Sequence, residues 1–125
     1  MYQVLAIAAG GALGAVLRFW VSNGVYAALG RSFPFGTLAV NVIGSMVMGF
    51  LYVVMIDRLA SGAEWRAFAL IGLLGAFTTF STFSIETLTL MQDALYLRAL
   101  LNVLISVVAC VGAAMLGVIL ARQIG

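Results

Sequence analysis

The spacing of charges constrains this chain more than any other feature. Twenty-five uncharged residues separate Arg31 from Asp57, and twenty-three separate Arg98 from Arg122. A helix needs about 20 apolar residues to cross the hydrocarbon of a bilayer. Residues 67–91 form another such stretch interrupted only by Glu86, and residues 4–28 one interrupted only by Arg18. The pattern predicts an all-α integral membrane protein. It is a single membrane domain over 1–125, with spans at about 4–28, 37–56, 67–91 and 99–121 and both ends on one side. The first stretch lacks a basic flank and is too long for a cleaved leader, so it is expected to stay as a span.

Composition narrows the function classes. Apolar residues make up 65% of the chain and charged residues 8%, where a soluble domain carries about 25% charged residues. That excludes a water-soluble enzyme, a nucleic-acid binder and a secreted module. All six basic residues are arginines and stand singly, which makes no basic patch for nucleic acid. The lone Cys110 and the absence of histidine exclude a disulfide framework and a thiolate or imidazole metal cluster. The connections at 30–36, 57–66 and 92–98 leave no room for a soluble domain or a nucleotide site.

The arginines give no orientation. Basic residues near the span ends normally mark the cytoplasmic loops. Arg58, Arg66 and Arg122 fall on one side of the predicted topology; Arg31 and Arg98 fall on the other, with Arg18 within reach of it. Such a balance lets the chain insert both ways and form an antiparallel homodimer. Small residues at four-residue spacing point to close helix packing, because lipid is as apolar as leucine and gives helices no hydrophobic reason to associate. Gly10 and Gly14, then Asn41, Ser45 and Gly49, then Ala109, Ala113 and Gly117 form such stripes.

Polar residues inside the spans are few and therefore informative. Asn41 shares a face with Ser45 and Gly49, so it points at protein; a helix–helix hydrogen bond and a pore role both fit it. The third span packs Phe77, Phe80 and Phe83 with Thr78, Thr79, Ser81, Thr82 and Ser84 into eight positions. In a continuous helix Thr79, Thr82 and Glu86 would share one stripe, with Phe80 and Phe83 beside it. A break near Gly75–Thr79 is tolerable there if it is buried in protein. Aromatic rings have positive edges, and Arg18 adds positive charge, so the stretch favours a small anion over a cation. Core packing of Phe80 and Phe83 remains the competing account. Asn102, Ser106 and Cys110 form another polar stripe in the fourth span, fit for a path or for holding helices together.

Three stretches carry a resemblance. Gly10 to Arg18 (GGALGAVLR), Gly36 to Gly44 (GTLAVNVIG) and Gly75 to Phe83 (GAFTTFSTF) resemble the Fluc (CrcB) fluoride channels of microbes, as do the span count and balanced arginines. The resemblance implies a passive, fluoride-selective channel of the bacterial inner membrane, an antiparallel homodimer with two pores that exports fluoride and confers resistance to it. Phe80 and Phe83 then line the fluoride path by their edges and Asn41 donates to the ion. Thr79, Ser81, Thr82, Glu86, Asn102 and Ser106 form the polar side of the path. Backbone carbonyls of Gly75 and Thr78 from both subunits hold a structural Na+ at the dimer interface. Arg18 matches the family's first-span arginine, while Phe19 stands where tyrosine is frequent. The alternative is a small dual-topology drug/proton antiporter, whose chemistry needs a carboxylate usually found in the first span; here that span carries Arg18.

Overall fold

The computed structural model describes residues 2–58 and 62–124. Four helices are long and apolar enough to cross a membrane: Tyr2–Leu29, Phe35–Ile56, Ala63–Gln92 and Tyr96–Ile124. No strand occurs among the described residues. Each helix starts two to four residues before the boundary that charge spacing predicts. Helices run past the hydrocarbon into the interface, where Glu64 and Arg98 are hydrated, so the first charge marks the edge of the apolar core rather than the end of the helix.

The ends have local causes. Helix α1 (Tyr2–Leu29) stops where Gly30 turns left-handed, φ +83°, and its N–H reaches back to the Tyr26 carbonyl at 2.8 Å. Helix α2 (Phe35–Tyr52) starts behind Pro34 and widens into a π-helical turn over Val53–Arg58. The Arg58 side chain, on which part of the charge balance rests, lies outside the described residues, as do residues 59–61.

The third span is two helices in line: α3 (residues 63–77), π-helical over Ala67–Leu74, and α4 (Phe80–Gln92). Between them Thr78 (ψ 158°) and Thr79 (φ −151°, ψ 115°) are extended. β-branched residues favour that conformation. The expected break is therefore present and sits at its far end; Gly75 itself is helical, φ −61°, ψ −37°. Thr79 then caps α4, its hydroxyl accepting the Thr82 N–H at 3.1 Å. Helix α4 ends in a Schellman turn: Leu95 N–H donates to the Leu90 carbonyl at 2.8 Å, and Ala94 takes the left-handed position, φ +60°. Helix α5 (Tyr96–Ile124) completes the chain.

Glycines set which helices touch. Helix α1 packs mainly on α3, α2 on α5, and α4 lies against α5. A Cβ on Gly10 or Gly14 would run into the backbone of Phe68 or Leu73, and one on Gly72 into that of Ile7. Gly49 lies on the backbone of Ala114, and Gly117 on that of Met46 and Phe50. Close backbone approach of this kind is how helices associate in lipid. Leu97, Val108, Met115 and Ile119 lie on the outer surface, as lipid requires, and the largest fully buried side chains among the described residues are Val40 and Asn102. At one end of the molecule Arg98 donates to the Ser32 carbonyl at 3.2 Å, tying α5 to the first loop.

Candidate ion pathway

The break at Thr78–Thr79 organises the polar residues. Thr79 N–H cannot bond back into α3 and instead donates to Asn41 Oδ1 at 2.7 Å. Asn41 Nδ2 returns a hydrogen bond to the Thr79 carbonyl at 3.1 Å. One amide thus satisfies the donor that the break takes out of the helix ladder and adds a bond to the carbonyl of the same N-cap residue, and an amide nitrogen carries a second hydrogen for another acceptor. Here the helix–helix bond expected of Asn41 is made to backbone, across 38 residues of sequence.

Beside this clamp lies a groove of about 410 Å³ between α2, the start of α4 and α5. Asn41, Ser45 and Met48 line it from α2, Thr79, Phe80 and Phe83 from the break, and Ser106 and Cys110 from α5. The Phe80 and Phe83 rings are 5.4 Å apart and tilted by 42°, so neither stacks flat on the other. Phe80 is 79% exposed, the groove being open on that side of the subunit. Core packing, the competing account of these rings, does not describe Phe80.

On the other side of Thr79 is a second cavity of about 310 Å³, lined by Arg18, Phe19 and Ser22 of α1, Thr37 and Val40 of α2, and Thr82. Thr79, 7% exposed, is the wall shared by both. Its hydroxyl contacts Thr82 Oγ1 at 3.0 Å and Ser81 Oγ at 3.4 Å. Glu86, one turn beyond Thr82, accepts the Tyr26 hydroxyl at 2.7 Å and a short hydrogen bond from Thr37.

Residues 5–118 match the family described as CrcB-like protein, Camphor Resistance (CrcB). The chain belongs to the CrcB-like family. Curated relatives named "Fluoride-specific ion channel FluC" agree. One from Methylococcus capsulatus is 60% identical over 122 residues, 98% of this chain and 54% of its own length. One from Magnetococcus marinus is 53% identical over 122 residues, 98% of this chain and 99% of its own. One from Coxiella burnetii is 48% identical over 123 residues, with the same coverage. The chain therefore spans about half of the Methylococcus relative and nearly the whole of the other two.

Within this CrcB-like chain the structure brings Asn41, Thr79, Phe80, Phe83 and Ser106 to one groove, and Arg18, Thr79 and Thr82 to the second cavity. Thr78 lines the same groove, while other sequence-predicted residues are placed differently. Ser81 is exposed beside the break. Asn102 is buried between helices, its Nδ2 donating to Thr87 Oγ1 at 2.8 Å while its Oδ1 accepts Ser106 Oγ at 3.3 Å. Gly75 lies on the exposed face of α3, and the Thr78 hydroxyl turns back to the Leu74 carbonyl at 3.0 Å. Sequence reasoning missed the groove residues Met48 and Gly44 and did not place Ser45 or Cys110 there. It also missed Tyr26 and Thr37, although a lone phenol near the end of an apolar span is a signal, since a buried tyrosine hydroxyl normally finds a partner.

Proposed function

We propose that this chain is a passive fluoride-selective channel that lets fluoride leave the cell and so confers resistance to it. The observation that carries the reading is the groove at the helix break, which the mutually tilted rings of Phe80 and Phe83 line together with the Asn41 amide; the relatives' shared name supports the ion. Fluoride holds its water strongly, so a path must replace that water with donors. Ring edges, the second Asn41 hydrogen and the hydroxyls of Ser81 and Thr82 would supply them, with Thr79 donating to Thr82 and Ser106 to Asn102 behind them. The N-terminus of α4 opens at the same place, and its dipole favours an anion there. Glu86 and Asn102 would complete the polar side, with Arg18 as the cation of the entrance. Fluoride enters an acidified cell as neutral HF and dissociates inside. The membrane potential then drives the anion out with about 2.3 kcal/mol per charge per 100 mV. The antiporter reading fails because its first-span carboxylate is replaced by Arg18, and because the relatives carry a channel's name.

The dimer is part of the proposal. An antiparallel second copy would cover the open side of the groove at Phe80 and give two pores. The central Na+ needs hard oxygen donors, and among the described residues no group of three or more His, Cys, Asp or Glu side chains offers a metal site. Backbone carbonyls fit the requirement: a helix end leaves its last carbonyls without intrahelical partners, and α3 ends at exposed Gly75 and half-buried Thr78. Those carbonyls would hold the ion, which when bound offsets the negative ends of two α3 helices. Removing sodium should weaken flux or loosen the dimer; unchanged assembly in sodium-free, lithium-free buffer would remove the site. The channel reading itself is tested with purified protein in liposomes loaded with potassium fluoride or potassium chloride. Rapid fluoride release with chloride retained is expected, and equal release of both, or of neither, would contradict it.

A further inference from the structure

The fluoride path just described contains a carboxylate, Glu86, whose charge opposes the ion it is meant to accompany. The structure holds that carboxylate in a specific way. Tyr26 reaches across from α1, its hydroxyl 2.7 Å from Glu86 Oε2, while Thr37 of α2 donates to Oε1. The two hydroxyls are 3.4 Å apart, so both carboxylate oxygens are turned toward α1 and α2.

The position of Tyr26 is built from several residues. Gly36 has no side chain at the point where a Cβ would run into the Tyr26 ring, so glycine admits the ring against α2. Arg31 closes the other face, its guanidinium 4.4 Å from the ring centroid. A cation over an aromatic face is attracted by the ring quadrupole, so Arg31 helps to fix the ring in place. The left-handed Gly30 turns the chain so that Arg31 comes back over Tyr26. Thr37, the second donor, lines the same cavity as Arg18, Thr79 and Thr82, and Thr82 is one turn of α4 from Glu86. Thr37 thus joins the carboxylate to the cavity that Thr79 walls.

We propose that Tyr26 and Thr37 are positioning residues that hold the Glu86 carboxylate aside, so that its charge does not occupy the hydroxyl track offered to fluoride. The inference rests on the channel reading. Without the Tyr26 hydroxyl, Glu86 loses a hydrogen bond to a charged group and is free to turn along α4 toward Thr82, with Arg18 the cation facing it across the cavity. There it takes up the donors an anion needs and repels the anion itself.

The test is fluoride efflux from liposomes containing Y26F, T37V, E86Q and the double variants Y26F/E86Q and T37V/E86Q, with dimer content measured by size exclusion. Y26F keeps the ring against Gly36 and Arg31 and removes one oxygen. Its flux is expected to fall about tenfold, the order set by one hydrogen bond to a charged group. Y26F/E86Q is expected to return to the E86Q rate, because the neutral amide has no charge to misplace. A tyrosine that only packs helices gives no such rescue. Y26F at the wild-type rate, a loss that persists in Y26F/E86Q, or an E86Q channel slower than Y26F would each overturn the inference. If Y26F does not assemble, T37V and T37V/E86Q decide by the same pattern. A wild-type chain that passes no fluoride overturns the channel reading and this inference with it; a conducting wild type with an unaffected Y26F overturns this inference alone.

Discussion

The groove at Phe80 and the seam at Glu86 share one wall, Thr79, and differ in how they manage polarity. The seam is closed by complementary partners: a carboxylate with two hydroxyl donors, and a phenol under an arginine. The groove is lined largely by apolar side chains, and its polar edge is the Asn41 amide, already engaged by backbone, with the hydroxyls of Ser45, Thr78, Thr79 and Ser106. Where every polar group has a partner, the structure is being held; where donors and ring edges are left turned into an open space, something is to be received. The break produces both regions at once, because it ends α3 in free carbonyls and begins α4 with its positive pole.

Substitutions at the boundary separate holding from receiving. Asn41→Leu should have the largest effect on stability. It leaves the Thr79 N–H unpaired in the interior, costing about 1–3 kcal/mol, and removes a bond to the Thr79 carbonyl. Thermal unfolding in detergent should shift down by several degrees and flux should be lost together with it. A stable Asn41→Leu dimer would mean that the break has other partners for these groups. Asn102→Leu comes next. It removes a buried tie to Thr87 and Ser106 worth about 1–2 kcal/mol. The melting temperature should fall with less effect on flux per folded channel than Asn41→Leu has. Ala94→Gly should have the smallest effect. Glycine takes the left-handed position that costs alanine about 1 kcal/mol, so a slightly raised melting point with unchanged flux is expected, and a lowered one would contradict the Schellman reading.

Several features were open to sequence reasoning because they depend on local chemistry. Charge spacing is enough to find four spans, since charges are costly in hydrocarbon and therefore rare within a span. The Gly10/Gly14 pair announces a close helix contact whichever helix supplies it. Thr78-Thr79 after a glycine is a plausible break in any context. What escaped depends on partners far along the chain. Nothing local says that Asn41 bonds Thr79, or that the Tyr26 hydroxyl meets Glu86, 60 residues away. Helical periodicity placed Thr79, Thr82 and Glu86 on one stripe, but the break removes Thr79 from that register, where it caps α4 instead. The π-helical segments at Val53–Arg58 and Ala67–Leu74 were invisible for a related reason. In a span that is apolar on every side, hydrophobic period does not separate α from π.

The central claim is that the Phe80–Phe83 groove receives fluoride. Isoleucine at either position keeps the volume roughly constant and removes the positive ring edge. Fluoride efflux from liposomes should therefore drop by about tenfold or more for Phe80→Ile and for Phe83→Ile, with assembly intact, while Phe68→Ile, on α3 beside Trp65 and away from the groove, conducts normally. Wild-type flux in both groove variants would show that these rings only pack, and that the ion passes elsewhere.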